Sequence, residues 1–139
     1  MSALDHEVLA EKTAAVQRHL ARVAARLPAD PADLHPSTDA SDAVILHLWQ
    51  AVQIVIDLAL SACLHLNLGT PTTYADAFHR LASAGYLDAG LGGRLARAAG
   101  FRNIVAHASE QLDMARVHRA ARDDPADLLA FLRLLRDLL

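Results

Sequence analysis

An apolar run in the middle of the chain, DAVILHLWQAVQIVIDLALSACLHLNLG at residues 42–69, constrains the fold more than any other stretch. As a helix it is long enough to cross a bilayer. Gln50, Gln53, Asp57 and Ser61, however, recur at three- and four-residue steps and draw a polar stripe down one face. An aspartate at the centre of a lone spanning helix is costly. The pattern therefore predicts the central helix of a bundle, apolar around most of its girth, or one side of a dimer interface, and no membrane association. Ser41 or Asp42 can cap its start, and Gly69 and Pro71 stop it.

The flanks supply what such a helix packs against. Leu4, Val8, Val16, Leu20, Val23 and Leu27 keep helical spacing over residues 3–27, and Pro28 ends that element. The polar, Pro-rich PADPADLHPSTDAS connects it to the central helix. Thr73 and Asp76 predict a capping box for a short helix over 74–84, stopped by Gly85. Asp88 can cap a helix over 89–108, where Gly90, Gly92, Gly93 and Gly100 suggest close approach of another backbone. Asp113 caps a short helix over 114–122, and Asp124, Pro125 and Asp127 read as N-cap, N1 and N3 of a closing helix. No strand-like alternation appears. The expectation is an all-α bundle of four main helices plus one or two short ones, forming a single domain over residues 1–139.

Cys63 is the one cysteine, so no intrachain disulfide can form, and it reads as a buried small hydrophobe. The opening MSALDHEVLAEK has no apolar core of signal-peptide type, and the expected location is cytoplasmic. No pair of histidines stands at metal-ligand spacing with a third ligand, so neither a metal nor another cofactor is expected.

The net charge of −3 hides an asymmetry. Residues 1–93 carry five Lys/Arg against ten acids, whereas residues 94–122 carry six arginines against two acids. This basic segment contains GFRNIVAHASEQLD, residues 100–113. Asn103 and His107 stand four apart and share a helix face, while Arg102 and His107 are five apart, about 140° round a helix. An imidazole that moves protons near neutral pH, a fixed guanidinium and an amide are the parts of a metal-free phosphodiesterase. By spacing alone, the same residues also read as ordinary polars on a solvated helix.

GFRNIVAHASEQLD resembles the motif of HepT-like proteins in the HEPN superfamily. The likeness extends to Pro71, Tyr74, Phe78 and Leu81, which follow that family's element after its central helix. The resemblance implies a dimeric HEPN-type bundle that joins two R-x4-H motifs in a composite cleft. It implies a ribonuclease toxin of a type VII toxin–antitoxin system, partnered by a minimal nucleotidyltransferase (MNT) antitoxin. Carried over, Arg102 and His107 are the catalytic pair and Asn103 supports them. Arg94, Arg97, Arg116 and Arg119 are the expected RNA-binding residues, and with Arg102 they are expected to line or flank one basic cleft at the dimer interface. The family tyrosine that receives a nucleotidyl group, two residues past the histidine, is Ser109 here, which becomes the possible modification site. Three readings stay open: an endoribonuclease acting on RNA, a non-catalytic HEPN module that binds a nucleotide or a nucleotidyltransferase partner, or a purely structural all-α dimer.

Overall fold

In the computed structural model the element order is α1 (His6–Arg26), a 3-10 turn (Pro31–Asp33), α2 (Asp39–His65), α3 (Tyr74–Ser83), α4 (Ala89–Ala108) and α5 (Met114–Leu138). The structure describes residues 4–108 and 112–139, without the side chains of Ile104, Ala106, His107 and Ala108. Among the described residues there is no strand.

Local chemistry sets most boundaries. Asp5 caps α1 by accepting from the Val8 amide. The start of α2 lies a few residues before the expected one. Thr38 is its N-cap, in a reciprocal capping box with Ser41. Two hydroxyls thereby satisfy amides that a bare helix start leaves unpaired. The end of α2 is set by Asn67, at φ 59°, where the Leu68 amide bonds back to the Cys63 carbonyl at 2.8 Å. This is the left-handed reversal that glycine usually provides, ahead of Gly69. Gly85, at φ 88°, closes α3 in the same way, with the Tyr86 amide on the Leu81 carbonyl. The capping box expected at α3 is half present. Thr73 accepts from the Asp76 amide, but the Asp76 carboxylate turns to Thr72 and Arg80.

α1 and α2 pack along each other as one hairpin, and α3 and α4 as another. α5 lies against α1, α2 and α4. By length and composition α2 is long and apolar enough to cross a membrane, and in this fold it contacts all four other helices. Phe78 of α3 meets Phe131 of α5 edge to face, with centroids 5.5 Å apart, and both rings are buried. Of the glycines in α4, Gly92 carries the close approach. A Cβ there would sit 3.0 Å from the Ala82 Cβ of α3. Gly100 has nothing within 4 Å, so the expectation of close packing fails at that position.

The larger departure is at the C-terminus. The sequence predicts a break before Pro125, yet α5 runs unbroken from Met114 to Leu138 with Pro125 inside it. Proline removes one helix hydrogen bond and crowds the preceding turn, a cost of roughly 3 kcal/mol. Val117, Ala121, Leu128, Leu132 and Leu135 form a single buried stripe that crosses the proline. Burying both halves of that stripe on one core outweighs the local penalty. Asp124 is therefore not an N-cap, and its side chain is released for another environment.

Candidate functional site

α4 begins with the Asp88 carboxylate accepting from the Leu91 amide. Leu91, Leu95 and Ala99 are buried along its length, so the helix is fixed by packing where it reaches Arg102. Arg102 lines a small apolar crevice together with Ile45, Leu48, Trp49 and Val52 of α2, Val105 of α4 and Val117 of α5. Its guanidinium carbon lies 4.8 Å from the Trp49 ring centroid and 5.5 Å from that of Tyr74. Nη1 donates to Asn103 Oδ1 at 3.1 Å, and Nε is buried without a hydrogen-bond partner among the described residues. Other arginines are held by acids: Arg80 by Asp76 at 2.7 Å, Arg94 by Asp127 at 3.0 Å and Arg122 by Asp123 at 2.8 Å. Among the described residues no carboxylate pairs with Arg102. Asn103 is exposed beside it. The backbone of His107 belongs to the last turn of α4. Its side chain, and the whole of Ser109, lie outside the described residues.

The four expected RNA-binding arginines share one cleft. Arg94 and Arg97 from α4 face Arg116 and Arg119 from α5 across a space of about 280 Å³. Phe101 forms part of its wall, and Arg116 approaches that ring at 5.8 Å. Arg102, expected at the same cleft, does not line it. It follows Phe101 in the chain and turns the other way, toward α2 and α3.

Three aspartates that the sequence reading assigned elsewhere or passed over, Asp123, Asp124 and Asp127, also line the cleft. Burial raises the Asp124 pKa to about 7, reinforced by the negative charges of Asp127 and Asp123 and opposed by Arg97. A signal was available. On a continuous helix, positions 116, 119, 123 and 127 fall at three- and four-residue steps on one face. The proline hid that continuity.

The remaining polar candidates sit elsewhere. His19 of α1 and His47 of α2 share a hydrogen bond, with their Nδ1 atoms 3.0 Å apart. Burial lowers both pKa values, followed by mutual repulsion and Arg22 for His19, and by Arg22 for His47. His118 is buried, and its Nε2 donates to the Pro28 carbonyl at 2.7 Å, tying α5 to the end of α1. Asp57 is exposed and accepts from Gln53 at 2.9 Å. Cys63 is buried, and burial pushes its thiol pKa up. Among the described residues no three His, Cys, Asp or Glu side chains gather as metal ligands.

Residues 16–135 match the ribonuclease HepT-like family. The chain belongs to that family. Solved structures agree at the level of the fold. A tri-AMPylated HEPN toxin from Shewanella oneidensis, in complex with an MNT antitoxin, superposes with a TM-score of 0.84 at 23% identity, covering 96% of this chain and 99% of that one. A toxin–antitoxin complex with AMP-PNP gives a TM-score of 0.83 at 24% identity, covering 94% and 99%. YutE of Bacillus subtilis, a cytosolic protein of unknown function, gives 0.79 at 15%, covering 100% and 93%. No curated protein matches the chain in sequence. The HepT-like assignment agrees with the all-α HEPN bundle implied by the GFRN motif.

Proposed function

We propose that this HepT-like chain is a metal-independent endoribonuclease toxin, active as a homodimer and controlled by an MNT-type nucleotidyltransferase antitoxin. One observation carries the reading. Arg102, at the head of R-x4-H, is a partly buried guanidinium with no acidic partner among the described residues. Holding a buried charge without a counterion is unfavourable unless another anion completes it. A phosphodiester fits that role, because a guanidinium offers it two parallel N–H donors.

In this mechanism Arg102 binds the scissile phosphate and stabilises charge developing on it. His107 accepts the 2′-hydroxyl proton and returns a proton to the leaving 5′-oxygen, giving a 2′,3′-cyclic phosphate. Asn103 orients Arg102 through their shared hydrogen bond. Arg94, Arg97, Arg116 and Arg119 hold flanking phosphates. The pairing of chains draws on α2, which exposes the large apolar side chains Leu46 and Leu64. A neighbour of the same fold is described as tri-AMPylated and bound to an MNT antitoxin. Here Ser109 takes the place of the family tyrosine, and its oxygen lies closer to the backbone than a phenol would. Partner binding over the cleft is therefore the main control, ahead of Ser109 modification.

The decisive experiment is cleavage of RNA by purified protein in EDTA, wild type beside His107→Ala and Arg102→Ala. Cleavage lost in both variants supports the reading. Cleavage that survives either change, or that never occurs, removes it. The alternative, a non-catalytic module for a nucleotidyltransferase, draws on the mixed charge of the α4–α5 cleft, where carboxylates sit among the arginines. It predicts tight partner binding and no cleavage.

A further inference from the structure

We infer that Trp49 and Tyr74 are positioning residues for Arg102: their rings hold the guanidinium by its flat face, so that its N–H edge stays open to a phosphate. The inference rests on the ribonuclease reading for its kinetic consequence and on geometry alone for its binding consequence.

An arginine side chain has four rotatable bonds and carries about 2 kcal/mol of rotamer entropy, so aiming it requires a second contact. A carboxylate would aim it by occupying the N–H edge that a phosphate needs, and would cancel the charge. An aromatic ring does neither. It attracts the cation through the ring face and leaves the in-plane donors free. The arrangement here follows that logic. Trp49 and Tyr74 sit at 4.8 and 5.5 Å, Asn103 takes one Nη1 hydrogen, and Nε is closed off from solvent. The fork that remains is the Nη side. The two rings come from α2 and α3, so the aim of Arg102 depends on how the two helical hairpins meet. A lysine has neither the flat face nor the fork, so Arg102→Lys is not conservative at this position.

Trp49 is the only tryptophan, which makes its fluorescence a direct probe of the contact. The first arm titrates the full-length protein with a 2′-O-methyl RNA oligonucleotide, which binds without being cut. Trp49 emission should shift in wild type and stay unchanged in Arg102→Ala. The second arm measures kcat and KM on unmodified RNA. Trp49→Phe and Tyr74→Phe, which keep a ring, should stay within about threefold of wild type. Tyr74→Leu and Trp49→Leu should lower kcat by about ten- to a hundredfold with KM little changed. Placed on Arg102→Ala, either Leu change should cost nothing further, because a pair that acts as a unit is not additive. If Trp49→Leu fails to fold, Tyr74→Leu carries this arm, with thermal melting as the control.

A Leu variant with wild-type kcat, or one whose loss adds fully to that of Arg102→Ala, overturns the inference. An emission shift that survives Arg102→Ala also overturns it. An Arg102-dependent shift with no cleavage leaves the clamp standing and removes the ribonuclease reading. Cleavage with fully additive losses does the reverse. Neither shift nor cleavage removes both.

Discussion

Two sets of arginine in this molecule, which come within five residues of each other on α4 at Arg97 and Arg102, live in opposite surroundings. Arg102 faces two aromatic rings and an amide, with no acid beside it among the described residues. Arg94, Arg97, Arg116 and Arg119 share a cleft with Asp123, Asp124 and Asp127. Charge density alone would rank the cleft as the site, since it holds four cations. Environment reverses the ranking. In the cleft Arg94 is paired with Asp127, and Asp123 and Asp124 share the space with the other cations, so an arriving phosphate must displace or tolerate a carboxylate. At Arg102 the described residues offer no such competitor. Under the proposed ribonuclease function, the difference separates a residue kept for the reacting phosphate from residues that track a chain of phosphates.

The largest expected effect tests that division directly. Arg102→Ala should reduce RNA cleavage by about a hundred- to a thousandfold, the range for losing a donor that stabilises developing charge. Arg94→Ala should reduce it by less than about tenfold, since its guanidinium already lies on Asp127. Single-turnover cleavage rates at saturating protein make the comparison. Equal losses would erase the distinction between the two groups.

The second test concerns stability in the cleft. Asp124 has a native pKa of about 7, raised by burial and by Asp127 and Asp123 from the ordinary carboxylate value of 3.8. The folded state then binds more protons than the unfolded chain between those two values. This group's penalty is absent below about pH 4, grows as pH rises, and is fully present above about pH 7. Asp124→Asn should therefore stabilise the protein by about 2 kcal/mol at pH 8, after solvent screening of a partly buried carboxylate, and change little at pH 4. Urea midpoints at the two pH values check it. A gain at pH 4 as large as that at pH 8 would show that the carboxylate charge is not the cause.

How much of this was legible in the sequence follows the range of the interactions. Helix spans follow from three- and four-residue spacing and caps, which are local, and Asp5, Thr73, Asp88 and Asp113 all cap as short-range rules require. The clustering of Arg94, Arg97, Arg116 and Arg119 was visible as a charge asymmetry. Pro125 misled because its penalty is local while the stripe of Val117, Ala121, Leu128 and Leu132 that overrides it is tertiary. That one misplacement assigned Asp124 and Asp127 to a cap and hid them from the cleft. Trp49, Tyr74 and Arg102 lie on three different helices, and no spacing rule links them. Tyr74 entered only through family likeness.

A third test sharpens the role of the cleft. Each phosphate neutralised by an arginine releases counterions, so RNA affinity should fall linearly with salt on a logarithmic plot. Arg97→Ala with Arg116→Ala should weaken binding by about tenfold at moderate salt and lower the slope by about 1 to 2. Arg102→Ala should change the slope by no more than about 1, since it contributes one contact. Titrations at several salt concentrations with uncleavable RNA measure both. A slope untouched by the double change would mean that the cleft does not hold the RNA backbone.

The smallest expected effect probes what the acids do to their arginines. The Arg94–Asp127 pair bonds Nε to both carboxylate oxygens at 3.1 and 3.0 Å, with the arginine side chain 49% exposed. A pair this exposed contributes no more than about 1 kcal/mol, so Asp127→Asn should leave the melting point nearly unchanged. Its effect on binding should run in the opposite direction to that of removing an arginine. It frees Arg94, deletes one negative charge from the cleft, and lowers the Asp124 pKa by removing the largest charge that raises it. The first two changes favour a phosphate. The third opposes it, because an Asp124 that ionises more readily restores part of the lost charge. The net result should be a two- to threefold tighter grip on RNA at pH 8, where Asp124 is already ionised in wild type, and less gain at pH 6, where the change newly ionises it. Affinity measured at both pH values separates the terms. Weaker binding at both would mean that Asp127 orients Arg94 for RNA, as Trp49 and Tyr74 orient Arg102, and the contrast between the two sites would narrow to the sign of the group that does the holding.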